Sequence, residues 1–348
     1  MRLARLVRMG SLGVLIGLVV LVVIPMPVDA TTFPGRNGAI AFSGGAAEGR
    51  GIWKVASKGG MKELMARGAH SPAWSPDGQT LVLVSGTTLE RMNADGDARH
   101  DLTPHSHGIE SAPSWSPNGQ RIAFVRQETV GSSNVKRSAI ITVNSRNGEE
   151  KNVSGWVYSG RVASPSWSPD GHQLVYERSE NDIRRLLIKN LMTSRSRIVT
   201  TLSDNVDSHV SWSPAGNKLL YKDSSNDMYT IWTDGSHRTV ISDGDSYEAS
   251  WSPDGNRIAF LEDKNGGEIS ISMEDGSVVQ LPVQKSHYQR LAFPAWSPDG
   301  KKLAVAMQYG EGASQVSDVF TYDLTGDSQV PTWLASGNFG EFTWQPRR

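Results

Sequence analysis

The chain has 348 residues, of which 38% are hydrophobic and 20% charged, with 35 Gly, 17 Pro and no Cys. That balance excludes a disordered chain, a disulfide scaffold, a thiol enzyme, a cysteine-ligated metal protein and a polytopic membrane protein. Lys and Arg number 35 against 36 Asp and Glu; with no basic surplus to hold a phosphate backbone, nucleic acid is not an expected partner.

Residues 1–30 divide into a basic stretch (Arg2, Arg5, Arg8), an apolar run from Leu12 to Ile24, and a short tail ending Val28-Asp29-Ala30. This is the pattern of a secretory signal peptide with its cut before Thr31. The 13-residue run is shorter than the ~20 residues a spanning helix needs, and Pro25 and Pro27 would stop its extension. The expected mature chain, residues 31–348, is therefore extracytoplasmic (periplasmic or secreted), free of stable membrane insertion and monomeric.

Phe33 to Phe42 follows as a degenerate unit in which only a turn and one strand are legible. After it, Trp-Ser-Pro-x-Gly occurs six times, opening at Trp74, Trp115, Trp167, Trp212, Trp251 and Trp296, with successive spacings of 41, 52, 45, 39 and 45 residues. Pro at the second turn position has its φ pre-set, and Gly takes a positive φ, so each copy reads as a hairpin turn. The x position is Asp77, Asn118, Asp170, Ala215, Asp254 and Asp299. A side chain that supports the turn tolerates Ala215; a ring of catalytic or metal-binding Asp does not.

Each Gly is followed by an apolar run, such as Leu81-Val82-Leu83 or Ile258-Ala259-Phe260, lacking strict alternation, as expected of a strand buried on both faces. A second polar turn and further strand residues complete each unit. Asn93-Ala94-Asp95-Gly96-Asp97 lacks the closing Glu of a calcium loop and reads as such a turn. Four strands per ~45 residues is the blade of a β-propeller. Glu341 to Pro346 is a lone first strand whose Trp344 lies 48 residues after Trp296. Pairing it with the N-terminal unit predicts an all-β, seven-bladed propeller without an open sheet edge. Trp at one fixed position per blade is expected to pack between sheets.

These repeats resemble the Pro-Asp propeller repeats of the TolB-like proteins, bacterial relatives of WD-repeat domains, over nearly the whole mature chain. The resemblance implies a periplasmic, non-catalytic binding platform for envelope partners. TolB itself carries an α/β domain before six blades, whereas this chain enters its first blade near Phe33. Related propellers cap prolyl oligopeptidase-type peptidases, but no Gly-x-Ser-x-Gly nucleophile elbow occurs here. The repeat is also distantly similar to that of oligogalacturonate lyase, which implies an alternative: a metal-dependent propeller enzyme acting on a polysaccharide, with ligands drawn from His70, His105, His107, His209 and His287. The sequence otherwise assigns no catalytic set, metal or cofactor.

In a propeller the residues ahead of each innermost strand surround the channel mouth, a concave site of the kind ligands favour. Three to six positions before each repeat Trp stand His70, Glu110, Arg161, His209, Glu248, Arg290 and Glu341. This mixed-sign ring is the expected binding surface for a protein segment or a cell-envelope polymer. The opposite face, built of repeated Ser-Pro-x-Gly turns, is expected to offer little to recognise.

Overall fold

The computed structural model describes residues 33–44, 49–131, 135–203, 209–223, 227–242, 246–263, 267–283, 290–309, 316–326, 330–337 and 339–347; the signal segment 1–30 and His287 lie outside them. The strands within these residues form seven antiparallel sheets of four or five strands, arranged as the blades of a propeller. The first strands are Ala69–Trp74 in blade 2, Ile109–Trp115 in blade 3, Gly160–Trp167 in blade 4, Ser211–Trp212 in blade 5, Ser246–Trp251 in blade 6 and Arg290–Trp296 in blade 7. First strands of neighbouring blades pack against one another at six of the seven junctions, and in blade 6 the first strand packs on the second strand of blade 5, Lys218–Lys222. The longest spacing, from Trp115 to Trp167, accommodates an additional strand, Val157–Tyr158, paired with Val135–Asn144.

Blade 1 is closed as the terminal half-units predict. Phe339–Arg347 is its first strand and pairs with Arg36–Gly44, which continues into Gly51–Val55 and Glu63–Arg67. Ile40 faces Trp344, Ala41 faces Thr343 and Phe42 faces Phe342. Joining the two chain ends in one sheet makes ring closure depend on long-range pairing and leaves no blade short of a strand.

The turns explain why the repeat is spelled as it is. The Gly N–H donates to the carbonyl of the turn Ser at 2.8–2.9 Å in all six copies, with Gly φ between 67° and 77°. In five copies the Ser Oγ donates to the Asp or Asn at the x position, from Ser75 to Asp77 at 2.6 Å through Ser297 to Asp299 at 2.7 Å. Where Ala215 occupies that position, Ser213 Oγ reaches Asn217 instead, at 3.3 Å. The carboxylate's role is local satisfaction of turn donors.

The apolar runs after the turns are buried, with Leu81, Val82, Leu83, Leu219, Leu303, Ala304 and Val305 fully so. Between them stand the repeat indoles. Trp115, Trp167, Trp212, Trp296 and Trp344 each donate Nε1–H to a carbonyl of the preceding blade: Ala73, Ser114, Ser166, Ser250 and Ala295, at 2.9–3.2 Å. An indole of this size buries about 150–250 Å², worth about 4–6 kcal/mol at about 25 cal/mol per Å². Sheet-to-sheet packing therefore accounts for the Trp periodicity.

Candidate functional site

The inner strands are of two kinds, and proline separates them. In blades 2, 3, 4 and 7 the residue two places before the Trp is Pro72, Pro113, Pro165 or Pro294. Proline has no N–H to give to the ladder. Accordingly the pairing skips at this point, between His70 and Ala73, Ser111 and Ser114, Ala163 and Ser166, and Ala292 and Ala295. The residue ahead of each Pro takes a positive φ at this bulge: Ser71 at 52°, Ala112 at 51°, Ser164 at 51° and Phe293 at 57°. Such bulges re-aim side chains and carry strain in residues other than glycine.

Blades 5, 6 and 1 have no proline there and carry His209, Glu248 and Glu341 at the same position, three before the Trp. Six of the seven residues at this position meet around one axial cavity of about 60 Å³: Ala112, Ser164, His209, Glu248, Phe293 and Glu341. The ionisable chemistry of the channel is thus concentrated on three blades, and the phenyl of Phe293 stands between Glu248 and Glu341 in blade order. Phe293 also meets Phe342 edge-on, with ring centroids 6.2 Å apart.

Burial pushes the Glu248 carboxyl up to about 7, opposed by the backbone N–H of Phe293, which donates to its Oε2, and by the charges of Arg290 and Lys222. Glu341 is 4% exposed. A carboxyl close to half-ionised at neutral pH beside an imidazole can accept or donate hydrogen bonds to a polar group that enters from the mouth.

The structure brings together only His209, Glu248 and Glu341 of the seven residues expected at the mouth. Glu110 is not at the mouth but wholly buried between blades 2 and 3. It accepts from Leu89 N at 2.8 Å, Thr103 Oγ1 at 2.6 Å and Arg126 at 2.6 and 2.9 Å. Burial pushes its carboxyl up, and Thr103 and Arg126 oppose that shift. It lies five residues before its Trp, and the carboxylate serves the interblade seam. His70, half-buried, has its Nδ1 3.0 Å from Ser71 Oγ, and burial lowers its pKa. Arg161 lies 3.6 Å from Glu177, and Arg290 is exposed, over the ring of Tyr247. Both arginines stand six places before their Trp and are not part of the lining of the axial cavity. Sequence reading missed Phe293 because it sought ionisable groups; the recurring x-Pro pair before the Trp was the available signal.

Among the described residues no group of three His, Cys, Asp or Glu is placed to hold a metal ion, so His70, His105, His107 and His209 do not assemble a ligand set there. The turn face departs from expectation. It contains a cavity of about 210 Å³ lined by Trp115, Trp167, Trp212 and Trp251 with their turn prolines. Ser211 and Ala249 border both cavities, which places the two chambers back to back along the axis.

A search of curated proteins by sequence finds no match. Among solved structures, TolB from Acinetobacter baumannii is similar at 18% identity and a TM-score of 0.55, over 91% of this chain and 69% of that one. Oligogalacturonate lyase in complex with manganese is similar at 13% identity and a TM-score of 0.65, over 90% of both chains. Puromycin hydrolase is similar at 15% identity and 0.65, but this chain spans only 56% of it. At these identities the likenesses speak for the fold alone, and a fold does not fix a function. The family model of the TolB β-propeller domain matches residues 52–245 and, in a second placement, 158–346, and the chain accordingly belongs to the TolB β-propeller family.

Proposed function

We propose that this protein is an exported, non-catalytic propeller scaffold that captures a partner at the mouth of its axial channel, a TolB-like role. The observation that carries the reading is the convergence of His209, Glu248, Phe293 and Glu341 on one axial cavity; in this proposal Arg161 and Arg290, earlier on their inner strands, form the entry. A cavity of this size takes one side chain or one small polar group, and the surrounding loops supply the remaining contact area. A protein segment fits this arrangement better than a bulky polymer, although an envelope polymer presenting a short polar branch would use the same contacts. The basic, apolar and small-residue succession in residues 1–30 supports export, with a mature protein that begins at Thr31 and works in the periplasm or outside the cell.

The test is site-specific photo-crosslinking in cell-envelope extracts. Probes at positions 161 and 290 are expected to capture the partner, and the double variant Arg161→Glu/Arg290→Glu to weaken capture about tenfold while the ring stays folded, with a lowered Tm because Glu177 and Glu248 lose a nearby positive charge. Crosslinks confined to the turn face or the outer strands would overturn the proposal. Intact-mass measurement of the exported protein is expected to give a chain starting at Thr31; retention of Met1–Ala30 in a membrane fraction would refute cleavage.

A further inference from the structure

The outermost strand of a blade has one side without a neighbouring strand, and the backbone groups on that side are a template for another chain. Such edges are protected by shortness, by charged side chains, or by bulges that interrupt the pairing. Among the described residues, the outer strands of six blades carry one of these devices. Glu63–Arg67, Ser196–Leu202, Thr239–Ser242 and Thr332–Gly337 join their blades through a bulge. Blade 2 ends in the two-residue, charged His100–Asp101, and blade 3 in the charged Glu150–Asn152 and the two-residue Val157–Tyr158. Val278–Leu281 of blade 6 has none of them. Its register with Glu268–Met273 is unbroken, from Ser272 opposite Val278 to Ile269 opposite Leu281, and Val278, Val279 and Gln280 are exposed.

In an antiparallel pair, opposing residues alternate between those that exchange N–H···O bonds with the neighbour and those whose backbone groups point away. At the turn closing this hairpin Met273 N–H donates to Ser277 O at 2.8 Å, which sets the alternation. Val279 and Leu281 therefore bond inward to Ile271 and Ile269, while Val278 and Gln280 direct N–H and C=O out of the sheet. The free edge is bounded at both ends. Pro282, next in the outward series, has no N–H to give, and its carbonyl accepts from the Tyr322 hydroxyl at 2.9 Å. On the other side Gly276 N–H is committed to Met273 O within the turn.

Two donors and two acceptors placed symmetrically about Val279 match the same edge turned end for end. We infer that this protein self-associates through blade 6, two copies pairing Val278–Leu281 antiparallel about a two-fold axis at Val279. Val278 of each copy then exchanges hydrogen bonds with Gln280 of the other, and the two Val279 side chains meet across the axis as a non-hydrogen-bonded pair, the closer kind. Charge favours the same arrangement. End-for-end pairing keeps the exposed Glu274-Asp275 turns of the two copies apart, whereas parallel pairing sets them side by side. The contact lies on the rim, outside the axial cavity lining, so it is independent of capture at the mouth. The monomer expected from the sequence is then the dilute form.

Sedimentation equilibrium of the purified protein tests this. A contact this small makes a weak, reversible dimer, so the wild-type mass is expected to rise from that of the monomer at about 10 µM towards twice it at about 1 mM. Gln280→Pro removes an outward N–H and none from the blade's own ladder; it is expected to melt like the wild type and to stay monomeric throughout. Val279→Lys and Val279→Glu set like charges opposite each other across the axis. Each is expected to stay monomeric alone, and their equimolar mixture to dimerise at least as well as the wild type. A wild type that stays monomeric at the highest concentration overturns the inference and leaves the edge to an extended segment of another protein. A dimer that persists in folded Gln280→Pro overturns it equally. Should Gln280→Pro not fold, the charged pair decides: a mixture that fails to associate overturns the two-fold pairing.

Discussion

The side-chain amide of Gln345 joins two blades: its Nε2 donates to Gly78 O of blade 2 at 2.7 Å, while its Oε1 accepts from Ala39 N of its own blade at 3.1 Å. One residue earlier, Trp344 donates to Ala295 O of blade 7. The closing strand thus grips both neighbours of blade 1 through consecutive side chains. Gln345→Ala leaves two backbone groups without partners and is expected to cost about 2 kcal/mol. Removing residues 340–348 also strips blade 1 of its inner strand and is expected to lower Tm by at least about 10 °C. Thermal melting of both variants checks the pair; an unaltered truncation would mean that closure rests elsewhere.

The turn motif predicts a rescue. Asp170 and Asn217 do the same work in different copies, each accepting from the turn Ser. Asp170→Ala and Asn217→Ala are each expected to cost about 1 kcal/mol in urea unfolding. Ala215→Asp restores the usual acceptor and is expected to recover most of the loss in Asn217→Ala, with less effect on the wild type. Equal effects of Ala215→Asp in both backgrounds would contradict the exchange.

The buried seam between blades 2 and 3 predicts an asymmetry between two carboxylates that grip the same arginine. Arg126 meets Glu110, which is fully buried, and Glu150, whose side chain is 32% exposed. Glu110→Ala leaves a buried guanidinium facing Leu89 N and Thr103, and is expected to cost about 3 kcal/mol. Glu150→Ala acts on a pair that water already screens and is expected to cost under about 1 kcal/mol. Urea midpoints at constant m-value measure both. Comparable losses would show that the two carboxylates share the load.

What the sequence made legible was whatever repeats in register. Trp-Ser-Pro-x-Gly marks the turn, the strand on either side of it and the interblade indole, so the blade count and the closing strand follow from spacing alone. The channel lining was less legible, because orientation within an inner strand depends on the bulge that Pro72, Pro113, Pro165 and Pro294 introduce. A window three to six residues before the Trp mixes three environments. Position −3 faces the axial cavity in six blades, position −5 sends Glu110 into a seam, and position −6 leaves Arg161 and Arg290 outside the cavity lining. The turn-face chamber was illegible because its wall comes from several blades and from Phe33, residues whose meeting only the closed ring creates.

Glu248 supplies a pH signature. Its carboxyl lies in the axial cavity with His209 and Glu341, and burial pushes it up to about 7 against the Phe293 N–H and the charges of Arg290 and Lys222. Its ordinary value is 4.5, so between these limits the folded state binds a proton that the unfolded state has released. The sign follows from linkage: this group's favourable contribution is complete below about 4.5 and is lost as pH rises through about 7. Glu248→Gln keeps the shape and removes the charge. It is expected to differ little from the wild type at pH 4.5 and to melt about 2–4 °C higher at pH 8, with the difference growing between those values. Melting curves across pH 4.5–8 check this, and a difference independent of pH would show that the carboxyl is not the group that titrates.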